Sequence, residues 1–169
     1  MSDLDEARYS LGQVARSVGL PESTLRSWFR RGHLGLDLGG RLREAHGHAH
    51  AVSLRTALWV GVIAGLVELQ IPAARAAKVA RAFVHFGEPD HQTGARRHPG
   101  ELFSGHGVWT LLVVRPDDDH GVIIRADRKT PLANVFTGPS GRTVGAVVLW
   151  LNQIDMRVRT GLAHVEAPA

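Results

Sequence analysis

The chain has no cysteine. That absence excludes disulfides, Cys-ligated zinc, iron–sulfur clusters and thiol catalysis together. Long hydrophobic runs are missing too. The longest uncharged apolar stretch, residues 56–67, stops at Glu68 and is shorter than the ~20 residues a membrane-spanning helix needs, so no membrane partner is expected. Of 20 basic residues only Lys78 and Lys129 are lysines. The opening MSDLDEAR is acidic and polar rather than basic and then apolar, which is not the pattern of a secretory signal; a cytoplasmic protein is expected. What is present is a chain of 169 residues, 44% of them hydrophobic, enough for one larger fold or two small ones with a real core.

Charge is unevenly placed. Residues 1–86 carry eleven Arg or Lys against seven Asp or Glu, while residues 87–169 carry nine of each, so the whole net charge of +4 lies in the first half. Three of the seven acids (Asp3, Asp5, Glu6) fall in the leader. A basic unit joined to a neutral one points to a polyanionic partner for the basic unit alone.

The pattern of residues reads as an α+β chain. Ser10 is an N-cap for a helix over LGQVARSV, with Leu11, Val14, Ala15 and Val18 at helical spacing and Gly19 ending it. After Leu20, Pro21 is expected as the first position of a second helix, ESTLRSWFRR, stopped by Gly32. Leu25 and Phe29 share its inner face with Trp28 beside them, which leaves Arg26, Arg30, Ser23 and Thr24 outward. Residues 35–51 are rich in Gly, Arg and His without a helical period, as in a β-hairpin or long loop. Ser53 caps a helix from Leu54 to about Leu69 that is apolar nearly all round and therefore buried. Pro72 starts another, running to Phe86, with Gly87 as its C-cap. Polar residues 87–106 read as a linker or irregular extension. Three β-like runs follow (108–114, 122–125 and 144–150), with 132–137 as a further strand and a final helix from Asn152. Three units are thus expected: 1–86, the linker 87–106, and a small antiparallel β-sheet plus helix over 107–169 that serves dimerisation or effector response.

Helix, glycine-containing turn, helix, then a Gly/Arg-rich hairpin is the layout of a winged helix-turn-helix. A helix that enters a groove offers donors near its start to base edges, and basic residues nearby hold phosphates. Ser23, Thr24, Arg26 and Ser27 meet the first need; Arg30, Arg31, Arg41 and Arg43 meet the second.

The stretch YSLGQVARSVGLPESTLRSWFRRGHL resembles the DNA-binding domain of MerR-type regulators. Tyr9, Gly19-Leu20, Thr24-Leu25-Arg26 and Trp28 match that family's pattern, with Ser27 where its first aromatic usually stands. Residues 47–53 are a loose version of the end of its wing, and 54–69 and 72–86 match its third and fourth helices. The resemblance covers the first half of the chain. It implies a four-helix winged helix-turn-helix in which Arg26 touches the phosphate backbone, Ser23 and Thr24 lie at the groove, and His48 and His50 are wing contacts. The family's long dimerisation helix and its sensor cysteines have no counterpart, so neither its dimer geometry nor thiol-based sensing is implied.

Other signals are weaker. His46, His48 and His50 alternate, yet no carboxylate stands at matching spacing; a polar wing is the simpler account, and no metal is expected. Asp117–Asp119 lack the alternation of a calcium loop and read as a solvated turn. The segment 138–143 lacks the lysine and spacing of a phosphate loop. Trp109 and Trp150 read as core aromatics. With no nucleophile or acid–base pair placed together, neither an enzyme nor a cofactor is expected. The expected function is sequence-specific recognition of double-stranded DNA by a homodimeric transcriptional regulator, for which RNA polymerase is a further candidate partner. Two rivals are an architectural DNA-binding factor, excisionase-like or from phage packaging, and a protein-interaction or ligand-sensing module that binds no DNA.

Overall fold

The computed structural model of the chain describes residues 3–34, 51–89, 94, 96–116, 118–138, 141–142 and 145–166. Within them a 3-10 turn, Asp3–Asp5, leads into strand β1 (Ala7–Ser10) and helices α1 (Leu11–Val18) and α2 (Glu22–Arg30). Strand β2 (Ala51–Ser53) precedes helices α3 (Leu54–Glu68) and α4 (Ala73–His85). The second half holds β3 (Trp109–Val114), β4 (Val122–Ala126), α5 (Ala133–Phe136), β5 (Thr137–Gly138), β6 (Gly141–Arg142), β7 (Val147–Trp150) and α6 (Leu151–Glu166). The chain is therefore α+β.

Local chemistry sets most of the helix ends. Ser10 forms a reciprocal capping box with Gln13, its Oγ accepting from the Gln13 amide at 3.2 Å while Gln13 Oε1 accepts from the Ser10 amide at 2.7 Å. Gly19, at φ 72°, ends α1, and the Leu20 amide donates back to the Ala15 carbonyl at 2.9 Å. Gly32, at φ 70°, ends α2 likewise, with the His33 amide on the Trp28 carbonyl. Pro21 stands one place earlier than expected, as the residue before α2 rather than its first position. Ser53 Oγ accepts from the Thr56 amide at 3.2 Å and starts α3.

Helix α3 is the centre of the molecule, buried from Leu54 to Leu66 on every side except at Arg55. Helix α4 lies along it, with the Trp59 Nε1 donating to the Ala77 carbonyl. The three-stranded antiparallel sheet has the order β4-β3-β7, and sends Leu112, Val114, Ile123 and Leu149 into the same apolar cluster as Val14, Leu25 and Trp28. That cluster thus runs through both the basic and the neutral half. Helix α6 completes it by packing on α1 and α3. A Cβ added at Gly61 of α3 would stand 2.7 Å from the Val158 Cγ2, and one at Gly161 of α6 would stand 2.7 Å from the Ser17 Cα, so glycine lets both helix pairs approach closely. Antiparallel β1 and β2 pair Tyr9 with Val52 and Ser10 with Ala51, bringing the entries to α1 and α3 side by side.

Three local expectations are corrected. Residues 132–137 are not a strand: the Val135 amide donates to the Leu132 carbonyl and the Asn134 amide to the Pro131 carbonyl, winding one helical turn before β5. Gly87 is not a left-handed cap, since Phe86 ends α4 in extended backbone. Its glycine is needed instead because a Cβ there would lie 2.5 Å from the Arg97 carbonyl oxygen. Trp109 and Trp150 are not core residues. They sit on the outer face of the sheet, 37% and 43% exposed, with ring centroids 6.2 Å apart, edge to face.

Candidate nucleic-acid interface

Helix α2 turns ~100° per residue, which puts Glu22, Arg26 and Arg30 in one line and Ser23 and Ser27 beside it. Leu25 and Trp28 point the other way and are buried, and they hold α2 against α1. The outward arc stays accessible. Glu22, Ser23, Arg26, Arg30 and Arg31 are exposed; Thr24 and Ser27 are half-buried. The structure thus brings six of the expected site residues (Ser23, Thr24, Arg26, Ser27, Arg30 and Arg31) onto one short helix and its end. Arg41, Arg43, His48 and His50 lie outside the described residues.

The electrostatics of this face are simple. From Arg8 to Leu34 the chain carries five arginines and a single carboxylate, Glu22. That carboxylate is already engaged: Arg26 donates from Nε at 2.8 Å and from Nη2 to the same oxygen, Glu22 Oε1. The other oxygen, Oε2, lies over Gly12 of α1, where an added Cβ would stand 2.7 Å away. Arg8 pairs with Glu6. Arg16, Arg30 and Arg31 have no carboxylate partner among the described residues, which at the end of α2 carry a net positive charge.

The turn between α1 and α2 is held from the far end of the chain. Arg157 of α6 donates from Nη2 to the Val18 carbonyl at 3.0 Å and lies 3.7 Å from Glu68. Two residues that matter here escaped the sequence reading. Glu22 was legible from its spacing to Arg26, four positions on, where opposite charges meet on a helix. Arg157 left no such signal.

A buried arginine, Arg97, plays a purely architectural part. Arg97, 3% exposed, donates to the carbonyls of Ala82, Phe83 and Phe86 at the end of α4 and to those of His98 and Glu101, with Nε on Glu88 Oε2 at 2.6 Å. It satisfies the orphan carbonyls that a left-handed glycine would otherwise have served. Burial raises the Glu88 carboxyl above its ordinary range, and contact with Arg97 pulls it the other way.

Among the described residues no cluster of three or more His, Asp or Glu could hold a metal ion, and no helix is long and apolar enough to cross a membrane. Comparison with protein-family models and with curated proteins gave no match.

Proposed function

We propose that the chain is a sequence-specific double-stranded DNA-binding regulator of transcription, built on a winged helix-turn-helix like that of the MerR-type regulators and acting as a homodimer. One observation carries this reading: the outward arc of α2, with Ser23, Arg26, Arg30 and Arg31, is exposed and positively charged, and α6 of the second half packs on α1 and α3 instead of covering it. Helix α2 is the groove-facing element. Arg30 and Arg31 at its end hold phosphates, and release of counterions from those phosphates makes binding steeply salt-dependent. A single short helix has a small footprint, and two-fold pairing doubles it. Self-association is assigned to residues 107–169, which is supported by the exposed apolar side chains Trp109, Val148 and Trp150 on one sheet face.

The test is recovery of bound fragments from randomly sheared genomic DNA, together with the mass of the protein in solution. Enrichment of a motif with two inverted half-sites, bound by a species of twice the chain mass, is the expected result. Failure to retain any duplex at low salt overturns the proposal and favours a protein-binding module.

A further inference from the structure

We infer that Arg26 is a base-reading residue, held by Glu22 so that its outer fork meets the O6 and N7 of a guanine. This replaces the phosphate contact that the family resemblance implies for Arg26, and it rests on the reading of α2 as the groove-facing helix.

The geometry supplies the argument. Glu22 Oε1 takes both donors of one edge of the guanidinium, Nε at 2.8 Å and one proton of Nη2. Both protons of Nη1 and the second proton of Nη2 remain, and they form the end-on fork that matches the two acceptors of a guanine edge. Arg26 has no other hydrogen-bond partner among the described residues, and its side chain is 54% exposed. An unheld arginine loses rotamer freedom on docking; one already held by a carboxylate loses less, which favours a specific contact over a diffuse one. A phosphate contact would have to bring the Glu22 carboxylate towards the DNA backbone, with like charges repelling. Arg30 and Arg31, without a carboxylate beside them among the described residues, suit the phosphates better.

A second observation bears on the same arrangement. Glu22 Oε2 occupies the space over Gly12 that a Cβ would fill, at 2.7 Å, so the buttress depends on glycine at a helical position where alanine is otherwise favoured. Gly12→Ala pushes only the far end of a flexible side chain, and should dislodge the carboxylate without harming the fold.

The experiment uses the full chain and the duplex recovered by selection, with a series in which each G·C pair is replaced in turn by A·T, over several salt concentrations. Arg26→Lys keeps the charge and loses the fork. It is expected to lower discrimination at one G·C pair per half-site by roughly ten- to a hundredfold, with an unchanged salt slope. Gly12→Ala is expected to weaken discrimination at that same pair while its melting temperature does not fall. If Arg26→Lys binds like the parent and Arg26→Ala weakens every duplex equally with a slope lower by about one, Arg26 is a phosphate contact and the inference is overturned, though the DNA reading stands. If Gly12→Ala leaves discrimination intact, the buttress is overturned. If the parent protein binds no duplex at all, the DNA reading falls and this inference with it.

Discussion

Arg157, on the last helix, donates from Nη2 to the main-chain carbonyl of Val18, the last residue of α1, across a sequence separation of 139 positions. The contact closes the end of α1 just before the Gly19–Pro21 turn that aims α2. Arg157→Ala removes it and leaves that carbonyl to solvent. The expected cost is about 1 kcal/mol, read as a lower urea midpoint with an unchanged denaturant slope. The exposed pairing of Arg157 with Glu68 adds little, so Glu68→Gln should leave the midpoint almost where it was.

Gly161 and Gly61 both admit α6, but what lies opposite them differs. A Cβ at Gly161 meets backbone, the Ser17 Cα at 2.7 Å and the Ser17 carbonyl oxygen at 3.1 Å; one at Gly61 meets the side chains of Val158 and Ile154. Backbone cannot step aside without parting the helices. Gly161→Ala is therefore expected to destabilise by roughly 1–3 kcal/mol despite its better helix propensity, and Gly61→Ala by less. Equal unfolding midpoints for the two variants would contradict this.

Arg97→Ala should be the most damaging single change among these. It strips the end of α4 of its donors and leaves the half-buried Glu88 carboxylate without its nearest cation. Losing one partner of a buried ion pair costs about 3–5 kcal/mol, measurable by thermal or chemical unfolding. Arg97→Lys retains the charge and fewer of the hydrogen bonds, and should fall between the two.

At the proposed interface, Arg30→Ala and Arg31→Ala are each expected to weaken binding to all duplexes alike and to lower the salt slope by about one. Titrations at several ionic strengths check it; a loss confined to one base pair would assign that arginine to base reading instead.

Asp5 and Arg55 give a pH signature. The hydrogen bonds from Arg55 hold the Asp5 carboxyl below its ordinary 3.8, so the contact stabilises the fold at and above ordinary carboxylate pH and is lost as pH falls through the depressed value. Asp5→Asn should be slightly less stable than the parent at neutral pH, by less than about 1 kcal/mol, because the carboxylate side of the pair is exposed and Arg55 keeps its bonds to the Val84 and Pro99 carbonyls. The gap should close as the pH is taken below the usual carboxylate range. A gap that widens in acid would have the wrong sign.

Much of the framework was readable along the chain because its causes are local. Ser10 and Ser53 cap the residues three places on, Gly19 and Gly32 turn the backbone left-handed where helices stop, and the all-round apolar run after Ser53 leaves burial as its only outcome. The outward arc of α2 was legible for the same reason, since Leu25 and Trp28 dictate which side faces in. Other features depended on neighbours far off in sequence. The end of α4 is closed by Arg97 and not by Gly87, because the chain returns there in space. Trp109 and Trp150 look like core aromatics but lie on the face of the sheet turned away from α3 and α4. The hold of Arg157 on Val18 exists only once α6 has packed between α1 and α3. Caps and periodicity act over a few residues and are written in order; which face is covered, and by what, depends on contacts that form only when distant segments meet.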